Sequence, residues 1–212
     1  MPATAKIILF FLALCVWAGL ISQFYISLSN AKVSLLETVI FYFSFFTILT
    51  NFIVAVCSTV LLTAKKTSLV YRFFSKTTTF TAIAVYILVV GIVFNAVLRP
   101  ILHMHGLQEI SSDLLHVASP LLFLIFWIRF VPKENMKRQY VFIWLIYPVV
   151  YIIYTIIHGS MTGFYPYPFI NISKLGYSKA MFNTLIILLS FFVLSLLFIE
   201  VKKIRNGNAG KL

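Results

Sequence analysis

The 212-residue chain predicts an all-α, polytopic membrane protein: six transmembrane helices in a bundle, with both termini in the cytoplasm. Three observations carry that expectation. Hydrophobic residues make up 61% of the sequence and charged residues 10%, against roughly a quarter charged in an ordinary globular domain. With a mean hydropathy of +1.01, a soluble fold would leave large apolar patches bare, so the solvent must itself be apolar. The charges also stand between long uncharged blocks rather than among them, which is the pattern of membrane-flanking residues.

The first uncharged block, 7–31, predicts a helix at about 7–29. It is too long for a cleaved leader and has no small-x-small cleavage site, so it reads as a retained span. Leu14 before Cys15 also argues against a lipoprotein signal. The second and third helices are expected at about 37–63 and 77–99. The fourth block, 114–128, is short, but Arg129 can snorkel and extend the helix over about 114–131. The fifth block is too long for one span; Gly159, Gly163, Pro166 and Pro168 should end its helix near His158, giving about 139–158. The sixth runs over about 179–201. Residues 1–205 thus read as a single transmembrane domain, and the polar tail 206–212 is expected to be disordered.

Orientation follows from the basic residues. A cytoplasmic N-terminus places Lys6, Lys65, Lys66, Arg72, Lys76, Arg129, Lys133, Lys137, Arg138, Lys202, Lys203, Arg205 and Lys211 inside. Only Lys32, Arg99, Lys174 and Lys179 then lie outside, in keeping with the positive-inside rule. The net charge of +12 is therefore a membrane signature, and nucleic acid is not an expected partner. Cys15 and Cys57 lie in apolar blocks and behave as small hydrophobes. Residues 1–106 and 107–212 show no self-similarity of the kind that marks inverted-repeat transporters.

Polar groups in hydrocarbon are costly and so are functional candidates. On this orientation Thr47 lies roughly 15 Å below Glu37 on the second helix, with Thr50 and Asn51 a turn deeper. Asn95 and Arg99 share a face at the outer end of the third helix. Asp113 and His116 share a face on the fourth, His158 ends the fifth, and Asn183 begins the sixth. All fall in the outer half of the bundle. In the segment 159–178, with Thr162-Gly163-Phe164-Tyr165-Pro166-Tyr167-Pro168-Phe169, two prolines fix an extended path and the aromatics suit the headgroup level, so a re-entrant or interfacial lid over a polar chamber is expected.

Plainer roles compete. Membrane threonines commonly bond their own helix, and Asn51, Asn95 and Asn183 can serve as interhelical glue. Arg99 can snorkel to headgroups. Trp127, Trp144 and Tyr147 suit a core or an aromatic belt. His103, His105, His116 and His158 contain zinc-ligand chemistry without a helix metal motif. The nucleophile-elbow, phosphate-loop and dinucleotide signatures of soluble enzymes are absent from the sequence.

The runs Phe46-Thr47-Ile48-Leu49-Thr50-Asn51, Asn95-Ala96-Val97-Leu98-Arg99 and Leu115-His116-Val117-Ala118-Ser119-Pro120, together with the 162–169 loop, resemble the bacterial Pr-six-Pr family of six-span membrane proteins. More distantly, the order of elements is similar to that of eukaryotic androgen-induced membrane proteins. These hydrolyse fatty acid esters of hydroxy fatty acids with a threonine and a histidine. Phe45-Phe46-Thr47 matches the threonine's setting, and His116 before Pro120 matches the histidine's. The chain departs from that pattern at Thr50, where the eukaryotic members carry an acid, and in lacking their second fourth-span histidine.

The resemblance implies a lipid ester hydrolase of the plasma membrane that needs no cofactor or metal. Thr47 would be the nucleophile and His116 its base, since imidazole has a suitable pKa near 6.5. Asp113 or another polar group would orient the imidazole, and Asn51, Asn95 or Arg99 would bind the oxyanion. His158, Tyr165, Tyr167 and Asn183 would support the substrate, a lipid or fatty-acid ester drawn from the bilayer. The alternatives are a non-enzymatic lipid-binding or transport protein and, third, a metal-dependent lipid hydrolase.

Overall fold

The computed structural model describes residues 1–132 and 134–207, with side chains through residue 201. It is 82% helical, with no strand among the described residues. The helices are α1 (Ala3–Ser29), α2 (Leu35–Phe43), α3 (Phe46–Thr63), α4 (Leu69–Phe74), α5 (Thr77–Val93), α6 (Leu107–Asp113), α7 (Ser119–Phe130), α8 (Tyr140–Thr162), α9 (Ile172–Leu175) and α10 (Tyr177–Gly207). Six segments are long and apolar enough to cross a membrane: Ala3–Ser29, Phe46–Thr63, Thr77–Ile101, Leu107–Phe130, Tyr140–Thr162 and Tyr177–Val201. The protein is an all-α, multi-pass membrane protein.

Several boundaries differ from the sequence expectation, each for a local reason. The helix expected over 37–63 is interrupted at Ser44 and Phe45. Ser44 is fully buried, yet its backbone is satisfied from outside the helix ladder: Tyr151 Oη donates to Ser44 O at 2.9 Å. The hydroxyls of Ser44 and Tyr154 lie 2.7 Å apart. Broken backbone at membrane depth survives only with such partners. The interruption means that Thr47 does not continue a straight helix from Glu37; it sits in the first turn of α3.

α2 itself starts with a capping box. Ser34 Oγ accepts from Glu37 N at 3.3 Å, and Glu37 Oε2 accepts from Ser34 N at 3.0 Å and from Ser34 Oγ at 2.6 Å. Those bonds hold the exposed Glu37 carboxyl below its ordinary pKa, the side-chain bond contributing most.

The third and fourth spans each contain a π turn, Phe94–Leu98 and Leu114–Ala118. Each is followed by one residue and then a proline, Pro100 and Pro120. Proline has no N–H to give to the preceding turn, and the wider i→i−5 bonds from Arg99 N to Phe94 O and from Ser119 N to Leu114 O close around that gap. The fourth helix also begins at Leu107, seven residues before the expected 114, because Asp113 is ion-paired rather than left to mark the span's edge. α8 passes through Gly159 to Thr162 and stops at Gly163, whose φ of 74° is the left-handed C-terminal stop. α10 extends through Gly207; residues 208–212, most of the tail expected to be disordered, lie outside the described residues.

The chain splits into two compact units, one of Met1–Tyr42 with Phe46–Pro132, the other of Phe43–Phe45 with Lys133–Leu212. In the first unit, α1 packs on α3, α3 on α5, α5 on α7, and α1 again on α6 and α7, so four spans close a ring. Its interior holds Leu9, Leu12 and Val16 of α1 with Val54, Val85, Leu115 and Phe123, all shielded from solvent. Trp127 belongs to this core, donating to Thr81 Oγ1 at 3.0 Å. In the second unit, α8 packs on α10, and the loop between them folds back onto α10.

Candidate functional site

The predicted site residues divide between the units. Thr47, Asn51, Asn95, Arg99, Asp113 and His116 belong to the first; His158, Tyr165, Tyr167 and Asn183 belong to the second.

Pro120 organises the first group. In an α-helix its N–H would serve His116 O, and in a π turn it would serve Leu115 O; it has no N–H for either. Two asparagines from neighbouring spans supply the missing donors. Asn51 Nδ2 donates to Leu115 O at 3.2 Å and to Thr47 O at 3.0 Å. Asn95 Nδ2 donates to His116 O at 3.1 Å and to Gly91 O at 2.8 Å. A primary amide has two N–H donors, so both amides are fully committed. The expectation that Asn51 or Asn95 donates to an oxyanion is therefore corrected: they hold the turn that carries His116. A single Asn51 amide also ties the Thr47 turn to the turn of Leu115 and His116. Asn51 Oδ1 and Ser119 Oγ are buried with no hydrogen-bond partner among the described residues.

The orientation of His116 falls to Ser112, a polar group other than Asp113. Its Nδ1 lies 2.8 Å from Ser112 O and 3.2 Å from Ser112 Oγ, and its ring stacks on Phe94 with centroids 3.5 Å apart. A carbonyl only accepts, so Nδ1 carries the proton, and in the neutral ring the lone pair is on Nε2. Asp113, the expected orienting group, instead pairs with Arg99; that guanidinium lies 6.0 Å from the Phe94 ring centroid. Arg99 is thus engaged as well and is not a free anion binder. The two π turns are joined face to face by Asn95, the Phe94–His116 stack and the Arg99–Asp113 pair. Gly91 permits the approach, since a Cβ there would lie 3.1 Å from both His116 O and Pro120 Cγ.

In the second unit, the 163–176 loop does not run extended throughout. It bends through a 3-10 turn at Pro168–Ile170 and the short α9, and Asn183 Nδ2 holds it to α10 by donating to Phe169 O at 2.8 Å. Asn183 is thus a tether for the loop. The Tyr165 ring lies directly on Gly159, where a Cβ would come within 2.3 Å of it. Tyr167 is buried, stacked on Phe169 and edge-on to Phe45 in the interruption before α3. His158 is half-buried, stacked with Tyr154 and edge-on to Phe164. These residues form an aromatic cluster that clamps Ser44 and Phe45.

Sequence reading overlooked Ser112, Phe94, Tyr151 and Tyr154. Ser112 had a signal, four residues before His116 on the same helical face. The tyrosines had none, being more than a hundred positions from Ser44. Among the described residues, no group of three His, Cys, Asp or Glu side chains is gathered to hold a metal, so the zinc reading has no ligand set here. Comparison with family models, curated proteins and solved structures finds no match for the chain.

Proposed function

We propose that the protein is an intramembrane hydrolase of lipid esters in the plasma membrane, acting on fatty acid esters of hydroxy fatty acids or similar substrates, with Thr47 as nucleophile and His116 as base. The observation that supports it most is the fixed tautomer of His116. Ser112 O takes the Nδ1 proton, Phe94 fixes the ring plane, and Nε2 is left as the acceptor. A neutral, oriented imidazole is what a weakly acidic hydroxyl needs.

In the reaction, Nε2 takes the Thr47 proton as Oγ1 attacks the ester carbonyl. The tetrahedral adduct then collapses, the C–O bond to the alcohol breaks, and Nε2–H protonates the departing alkoxide. A water, deprotonated by the same nitrogen, releases the acid and restores Thr47. Because α3 begins at Phe46, Thr47 stands at the positive end of that helix's dipole, which favours developing negative charge. The more distant resemblance to the androgen-induced family points the same way.

The test is hydrolysis of a fluorogenic acyl ester by detergent-solubilised protein. Thr47→Ala and His116→Ala should each abolish turnover with the gel-filtration profile unchanged; wild-type turnover in either variant would remove that residue from the mechanism. The second reading, a lipid-binding or transport protein without chemistry, is favoured by one specific observation: the amides expected to bind the oxyanion are both consumed by backbone carbonyls. Saturable lipid binding without turnover would support it.

A further inference from the structure

The loop between the second and third spans contains a helix with no fully buried residue. α4 is capped by Ser68, whose Oγ accepts from Tyr71 N at 3.2 Å, and none of its residues is buried. Leu69 is 80% exposed, Val70 50% and Phe73 54%. A six-residue helix is far below the length that holds in water by itself, and Leu69, Val70 and Phe73 keep half or more of their surface uncovered by the described residues. The same loop carries Lys65, Lys66, Arg72 and Lys76, all exposed, and residues 65–76 contain no acid. α3 ends at Thr63 and α5 begins at Thr77, so α4 cannot leave the membrane boundary by more than a few residues.

We propose that residues 64–76 form an interfacial element that binds anionic phospholipid. Leu69, Val70 and Phe73 enter the boundary between headgroup and acyl chain, and the four cations engage the lipid phosphates. Charge complementarity selects this occupant: an uncharged lipid surface would cover the apolar side chains equally well but would leave the four cations without counter-charge. On the orientation set by the basic residues, this is the inner leaflet. The proposal is independent of ester hydrolysis.

The full chain is reconstituted in vesicles of equal phosphatidylglycerol and phosphatidylcholine, extracted in mild detergent, and its retained lipids counted by native mass spectrometry. Wild type should retain phosphatidylglycerol in excess. Each cation near an anionic surface contributes about fivefold, so the K65Q/K66Q/R72Q/K76Q variant should lose most of that excess, and K65R/K66R/K76R should keep it. L69S/F73S, which keeps every cation, should also reduce it by loosening the anchor. K174Q/K179Q, on the other side of the membrane, should change nothing. Equal retention of the two lipids by wild type, an undiminished excess in the fourfold glutamine variant, or an equal loss in K174Q/K179Q would overturn the proposal.

Discussion

Replacing Asn95 by alanine tests how the His116 turn is held. The substitution removes the donor at 3.1 Å from His116 O, and Pro120 prevents the helix from supplying its own. A buried acceptor left without a donor costs about 1–3 kcal/mol, while side-chain hydrogen bonds measured inside membranes average about 0.6 and reach about 1.7 kcal/mol. Since no local repair is open, Asn95→Ala should fall at the upper end of the membrane range, about 1.5 kcal/mol. Pro120→Ala restores an N–H four residues after His116 and lets the π turn close as an ordinary α turn. In that background Asn95→Ala should cost only about 0.6 kcal/mol or less. The assay is reversible unfolding of the four proteins in bicelles, read as a double-mutant cycle. A cost of Asn95→Ala that is the same in both backgrounds, within the roughly 0.3–0.5 kcal/mol expected of independent sites, would show that Asn95 does not compensate for the proline.

Two further outcomes are expected. Gly159→Ala places a methyl against the Tyr165 ring, which must leave its seat; overpacking of this kind costs about 1–3 kcal/mol, and limited proteolysis within 163–176 should accelerate, whereas unchanged cleavage would refute the packing of Tyr165 on Gly159. Glu37 is bound more tightly when ionised, because Ser34 holds its carboxyl below the ordinary range. Its contribution to the start of α2 is therefore complete above the unfolded carboxylate pKa and is lost as pH falls through the lower folded value. Amide protection factors at residues 35–38, with the intrinsic pH dependence of exchange divided out, should fall over that acid window in wild type and stay constant in Glu37→Gln; equal pH dependence in both would contradict the capping box.

The spans were legible because hydrocarbon tolerates so few charges: gaps between Lys, Arg, Asp and Glu nearly delimit the helices. That logic failed where a charge was paired. Asp113 read as the edge of the fourth span, yet with Arg99 beside it the helix extends back to Leu107. It also failed where backbone geometry depended on distant partners. The interruption at Ser44 and Phe45 is sustained by Tyr151 and Tyr154, and nothing in the local run Tyr42-Phe43-Ser44-Phe45 requires it. Ser34-Leu-Leu-Glu37 was a readable helix start that the placement of the second helix at 37 passed over.

At the candidate site, residue types were legible and roles were not. Asn51 and Asn95 stood out as costly polar groups in the membrane, but their purpose depends on Pro120 lying on a third helix between them. His116 stood out with Asp113 as its natural partner; the structure gives that carboxylate to Arg99 and the imidazole to Ser112, whose i−4 spacing was the one signal for it.

The most direct measurement is covalent labelling of purified protein with a fluorophosphonate probe, followed by peptide mass spectrometry. One adduct is expected, on Thr47, that disappears in His116→Ala because the hydroxyl has lost its base. Labelling at another residue, or labelling of Thr47 undiminished without His116, would contradict it.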